Sequence, residues 1–237
     1  MANARLFSQS LSDLRAQIDT CDDALMALLK KRMQIVAEVA HLKKGQNDAF
    51  IRPARETQIL RRLLAESGPL SPAFVMAVWR TLMMGALQYE DPFRVGYVGE
   101  DGLKLGIQLF GAITPHQGFS GYPQLFQAYA HQEVDFLILP LKKASVWLGA
   151  LQNLSGSFLF HLPLMATSAE TMEALVWGEG SPESSGHDFS WYYLPKGTPP
   201  LIHAAMVAET LEGSLWTSEE KQEDTHGTFW GYTGLLG

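Results

Sequence analysis

The chain has 237 residues, 46% of them hydrophobic, enough for one or two domains with real cores. Its formal net charge of -7 argues against a nucleic-acid surface as its main business, and its single cysteine, Cys21, excludes an intrachain disulfide or a cysteine-based zinc site. No apolar run of about 18 residues occurs, so no transmembrane helix is expected. Met1 to Ser10 lacks the apolar stretch of a signal peptide, and the cytoplasm is the expected compartment.

From Leu11 to Lys44 the apolar residues Leu14, Ile18, Leu25, Leu28, Leu29, Ile35, Val36, Val39 and Leu42 recur at helical spacing, with no Pro or Gly before Gly45. One continuous helix is predicted, on the order of 50 Å long and too long to bury against one small domain. Ser10 and Ser12 offer N-caps, Asp13 suits the first turn, and Lys43, Lys44 and Gly45 suit the end. Cys21 is expected on this helix as a small, half-buried residue.

Pro53 opens a second helix with Ile59, Leu60, Leu63 and Leu64 on its apolar face. Ser71 and Pro72 start a third, which carries Phe74, Val75, Val78, Trp79, Leu82, Met83 and Ala86 and ends near Asp91. These three form an all-helical unit over residues 5–91. Alone it leaves much of the first helix unpaired, and pairing of two long helices in a dimer would cover that surface.

After Pro92 the pattern changes to a second domain over residues 94–237. FRVGYV at 93–98 reads as a strand, followed by a turn at Gly99 and Gly102 and a helix near Leu103 to Phe110. Tyr122 to His131 reads as a helix and DFLIL at 135–139 as a buried strand, an order that suggests an α/β domain. Further strands are expected at 158–162 and 189–194, a loop at 178–186, a helix at 200–212, and a last strand in the aromatic tail FWGYTG. The expected fold class is thus a mainly α N-terminal unit plus a C-terminal α/β domain.

Two cations interrupt the apolar stripe of the first helix. At roughly 100° per residue Arg32 shares a meridian with Leu14, and Lys43 lies about 20° away, whereas Arg15 lies about 100° round. Buried charge is costly unless paired or bound to a ligand. Either Glu38, Glu56 or Glu90 neutralises these cations within the bundle, or an anionic small molecule does. Glu90 lies about 20° from Trp79 and about 40° from Ala86 on the third helix, inside its apolar stripe.

The runs LRAQIDTCDDALMALLKKRMQIVAEVAHLK and RPARETQILRRL, followed by the third helix, resemble the all-helical class of chorismate mutases over about residues 7–91. The resemblance implies an intertwined homodimer with shared active sites and cofactor-free conversion of chorismate to prephenate by an intramolecular Claisen rearrangement. It implies that Arg15 reaches into the partner's site to bind a substrate carboxylate, that Arg32 binds carboxylate in its own subunit, and that Lys43 donates to the ether oxygen. Arg55 would hold the site and the substrate side chain, and Glu56 would accept from the ring hydroxyl. Nothing in that chemistry needs a nucleophile or a metal. It needs a dianion held compactly and charge stabilised on one oxygen.

Three positions depart from the family's pattern. Arg52 stands where an acidic residue is common, Ala86 where Ser is frequent, and Glu90 where Gln is frequent. Arg52 would compensate for the hydrogen bond lost with the Ser. Glu90 can donate to the ether oxygen only when protonated, because an ionised carboxylate only accepts. Activity should therefore fall as pH rises through its ionisation.

Residues 94–163 bear a fainter likeness to the first lobe of prephenate dehydratases, carried by VGYVGEDG and EVDFLILPL. That family's late Thr-Arg-Phe motif is not found; the nearest placement is Ser190-Trp191-Tyr192. A reduced, degenerate ligand-binding or structural domain is expected; no match to a regulatory amino-acid-binding domain is found at the C-terminus, and a regulatory domain that senses phenylalanine or tyrosine is the alternative. A bifunctional mutase–dehydratase and a non-catalytic, effector-binding dimer stand as rivals. The seven His residues show no H-x-x-x-H pair, so no metal site is expected.

Overall fold

The computed structural model describes residues 10–43, 51–165, 171–180, 183–219 and 227–236. The chain falls into two compact units, divided between Asp48 and Ala49. Within the first, the predicted long helix is a single uninterrupted one, α1 (Leu11–Lys43). Its start is a reciprocal cap: the Asp13 backbone N–H donates to Ser10 Oγ at 3.1 Å, and the Ser10 N–H donates to the Asp13 carboxylate at 3.0 Å. Hydrogen bonds from the Ser10 hydroxyl and from the Ser10 N–H hold the Asp13 carboxyl below its usual range. The expected ending at Lys44 and Gly45 lies outside the described residues. Cys21 is exposed rather than half-buried, since α1 keeps most of its surface in solvent.

The second unit contains α2 (Pro53–Ala65), α3 (Pro72–Glu90), α4 (Gly99–Phe110), α5 (Tyr122–Ala130) and α6 (Ala144–Leu151). These surround one sheet built from β1 (Val95–Val98), β2 (His116–Phe119), β3 (Phe136–Pro140), β4 (Ser157–Leu162), β5 (Ala174–Gly178), β6 (Asp188–Pro195), β7 (Ala205–Glu209), β8 (Gly213–Ser218) and β9 (Thr228–Gly234). The strand order is β2-β1-β3-β5-β4-β9-β6-β8-β7. β2, β1 and β3 are parallel, and the far half from β9 to β7 is antiparallel.

Alternation along the central strands sorts side chains to two faces. Leu137, Leu139, Leu175 and Trp177 join α5 and α6 in one core, whereas Phe136, Ile138, Ala174 and Val176 join α2, α3 and α4 in the other. With both faces covered, β3 is buried at all five positions, which is why DFLIL reads as a continuous apolar run. The helices α2 and α3 therefore share a core with the sheet. Among the described residues no helix is long and apolar enough to cross a membrane.

The helix expected at 200–212 is instead the edge strand β7 and a tight turn into β8. Thr210 makes that turn: its backbone N–H donates to the Gly213 carbonyl at 2.8 Å, and its Oγ1 accepts from the Glu212 and Gly213 N–H groups at 3.2 Å. Helix propensity in Ala, Met and Glu is a weak preference, and pairing with a strand that carries Leu215 into the core outweighs it. The loop expected at 178–186 is described only in part, and its first residue, Gly178, ends β5.

Candidate active site

The eight candidate residues divide between the two units. Arg15, Arg32 and Lys43 lie on α1; Arg52, Arg55, Glu56, Ala86 and Glu90 lie on or beside α2 and α3. On α1, Arg15 is exposed and Arg32 half-buried, and Lys43 is the last helical residue. Eleven residues separate Arg32 from Lys43, so one rigid helix spaces them about 16 Å apart along its axis.

On α2 the face is set by Pro53 in the first turn and by Ala54, Glu56, Thr57 and Leu60 turned inward. Arg52 and Arg55 fall on the outer face of the same turn, both exposed. Ser71 caps α3 by accepting from the Phe74 N–H at 3.2 Å, and further along it Ala86 is buried and Glu90 half-buried, one turn apart.

Glu56 is turned away from Arg52 and Arg55, into the core. It is 8% exposed and forms an ion pair with Arg80 of α3, itself 5% exposed. Arg80 also donates from Nε and Nη2 to the Leu109 carbonyl at the end of α4, at 3.3 and 3.2 Å, and lies 5.2 Å from the Phe160 ring centre. Burial pushes the Glu56 carboxyl up, against the pull of the Arg80 guanidinium. The acceptor role expected for Glu56 towards a ring hydroxyl thus meets a prior commitment: its carboxylate already serves a buried cation.

Arg80 was not among the residues singled out from sequence. Of the expected α3 face, Val75, Met83 and Ala86 are buried but Phe74 is exposed, and Arg80 and Met84, outside that face, are buried as well. A lone cation in the apolar run VMAVWRTLMM was the available signal. Arg80 also lines a cleft of about 400 Å³ between α3, α4 and residues 162–165, walled mostly by apolar side chains. A second cleft of about 630 Å³ opens at the carboxyl ends of β1 and β3, where the strand order reverses, and is lined by Lys104, Lys142, Lys143 and Tyr122.

The nearest counterpart to a Thr-Arg-Phe motif does not form a site. Ser190, Trp191 and Tyr192 lie inside β6 and are buried, with Trp191 Nε1 donating to Thr233 Oγ1 at 2.8 Å. Among the described residues no group of His, Cys, Asp and Glu is placed to hold a metal ion.

Comparison with known proteins matches residues 14–91 to the family described as chorismate mutase type II. A bifunctional chorismate mutase/prephenate dehydratase of Pseudomonas aeruginosa is 28% identical over 160 residues, covering 64% of this chain and 43% of that protein. A T-protein of Haemophilus influenzae is 32% identical over 124 residues, covering 49% of this chain and 33% of that one. A crystal structure of prephenate dehydratase from Streptococcus mutans aligns with 60% of this chain and 97% of its own, at 14% identity and a TM-score of 0.39, too loose a fit to assign a fold. In each sequence comparison the chain spans less than half the length of its relative. Over residues 14–91, its helical segment, the chain is thus similar to the chorismate mutase type II family.

Proposed function

We propose that the protein catalyses the rearrangement of chorismate to prephenate in the cytoplasm, for phenylalanine and tyrosine synthesis. In this reading residues 5–91 form the mutase segment and 94–237 an appended α/β segment. The observation that carries it is the family match over 14–91, within which one unbroken α1 holds Arg15, Arg32 and Lys43. No cofactor takes part. Arg32 and Arg15 hold the two carboxylates, Arg52 replaces the carboxylate hydrogen bond that a Ser at position 86 would make, Arg55 holds the substrate side chain, and Lys43 donates to the ether oxygen as its bond to carbon breaks. Glu90 donates to the same oxygen when protonated, beside Ala86. Glu56 acts through Arg80 as an internal tie. Orientation of a flexible dianion and a fixed field at one oxygen are the sources of rate.

The working form is a homodimer with sites shared between subunits. Supporting this, α1 exposes Leu25 at 57% and Leu28 at 64%, together with Ile18, Ile35 and Leu42. Leaving such side chains in water forgoes roughly 1.5–3 kcal/mol apiece.

A chorismate-depletion assay on the wild type and Arg32→Ala tests the proposal. The expected loss in the variant is about 100-fold, as for a substrate no longer held in its reactive geometry. A wild type without turnover would overturn it.

The likeness to the Pseudomonas relative runs past the helical segment, which favours a ligand-binding role for the α/β region. The cleft at the ends of β1 and β3 is its natural place, and an aromatic amino acid its expected effector. Thermal-shift measurements with phenylalanine and tyrosine check this. Dehydration of prephenate is not expected, because the counterpart of the Thr-Arg-Phe motif is core.

A further inference from the structure

We infer that Arg61 is a positioning residue: by gripping the chain at residues 185–187 and 235, it holds α2 on the sheet and fixes where Arg52 and Arg55 stand. The inference rests on the mutase reading of those two arginines.

Arg61 projects from the third turn of α2 and is half-buried. Its Nε donates to the Leu235 carbonyl at 2.6 Å, its Nη1 to the Ser185 carbonyl at 2.9 Å, and its Nη2 to Ser185 Oγ at 2.7 Å and to the His187 carbonyl. The planar guanidinium spends its fork of donors on acceptors in fixed positions, which a lysine cannot reproduce. Those acceptors are themselves held. Asp188 accepts from Ser184 Oγ, the Ser185 N–H and Ser185 Oγ at 2.7, 2.8 and 2.6 Å, and the Leu235 N–H donates to the His187 carbonyl at 3.0 Å. Arg61 therefore ties α2 to the start of β6 and the end of β9.

One turn earlier on α2 a second contact fixes the same distance. Gly234, the last residue of β9, lies so close to Thr57 that a Cβ there would stand 2.4 Å from both Thr57 Cγ2 and Oγ1. The helix rests on a strand end that only glycine allows. Arg52 and Arg55 sit on the opposite face of this same short helix, so any shift of its seat moves both cations. A displacement of about 1 Å at a binding group is enough to lose binding or rate.

The test uses the full chain with Arg61→Ala, Arg61→Lys and Gly234→Ala. Steady-state kinetics on chorismate are combined with amide hydrogen exchange over residues 52–65, and exchange in β3 and β5 reports intact folding. Arg61→Ala is expected to raise KM about tenfold with kcat changed less than about threefold, because groups that hold substrate before and during reaction act on KM. Exchange in α2 should speed up about tenfold while β3 and β5 stay protected. Gly234→Ala should act in the same direction by a different route, and Arg61→Lys should fall between. Unaltered KM and unaltered α2 exchange in Arg61→Ala and Gly234→Ala would overturn the inference, as would a loss of protection in α2 and the sheet together in Arg61→Lys. A wild type that fails to turn over chorismate would instead remove the mutase reading, leaving the tether to be decided by exchange alone.

Discussion

Glu56 and Arg80 form an ion pair between α2 and α3 where both side chains are almost wholly out of solvent. Breaking one side of such a pair strands a buried charge and costs about 3–5 kcal/mol, whereas replacing both with apolar groups is close to neutral. Arg80→Met should therefore be far less stable than Glu56→Leu combined with Arg80→Met. Burial raises the Glu56 carboxyl above its ordinary 4.5, and loss of Arg80 removes the main opposing pull. A carboxyl raised in the folded state favours folding below its unfolded pKa, and that advantage is lost as pH rises through the folded one. The deficit of Arg80→Met should be smallest at a pH below 4.5 and larger at a pH well above it, as read from urea unfolding. An equal deficit at both would refute the argument.

His161 gives the opposite pH dependence. It is buried in β4, with Nδ1 2.9 Å from Thr233 Oγ1. Trp191 already donates to that oxygen, so the Thr233 hydroxyl is free to donate to a neutral imidazole. Burial lowers the pKa to about 4 from 6.5. The unfolded chain then binds the extra proton across that interval, so the contribution is complete above 6.5 and is lost as pH falls towards 4. A loss of about 3 kcal/mol between those limits is expected from this group. His161→Asn should show a correspondingly flatter acid limb, and an identical one would remove His161 as the cause.

Mixing subunits separates a shared site from a local one. Arg15→Ala and Arg32→Ala should each be inactive as purified. If Arg15 serves the partner's site, their heterodimer keeps one intact site, and an equimolar exchanged mixture should recover about a quarter of wild-type activity. No recovery after verified subunit exchange would place both arginines in one subunit's site.

Glu90→Gln tests the ether-oxygen role. An amide donates at every pH, whereas a carboxyl donates only when protonated. The variant should hold its kcat across the range where wild-type activity falls on the alkaline side. A parallel fall in both would take Glu90 out of that role.

Local rules were enough for the caps at Ser10 and Ser71, the unbroken α1, and the buried strand DFLIL, because each depends on neighbours within a turn or on burial on both faces. They failed where partners are remote. Hydrophobic periodicity turns a cation outward, so Arg80 reads as surface unless the position of Glu56 is already known. Arg61 is harder still, since its acceptors, most of them main-chain oxygens, lie 124 to 174 residues away. The strand β7 was misread because its stability comes from β8, and the six residues of β8 carry little pattern of their own. Of the candidate site, the inward turn of Glu56 needed the sheet to be seen.

The family match ends at residue 91, but the packing has no joint there. Phe93 stacks edge-on against Phe110 and Phe136, and the same cluster takes in Met83 and Met84 from α3 and Leu60 from α2. A chain cut after Asp91 would expose both halves of that cluster to water. The boundary of the family match therefore runs through a shared core and not between two cores.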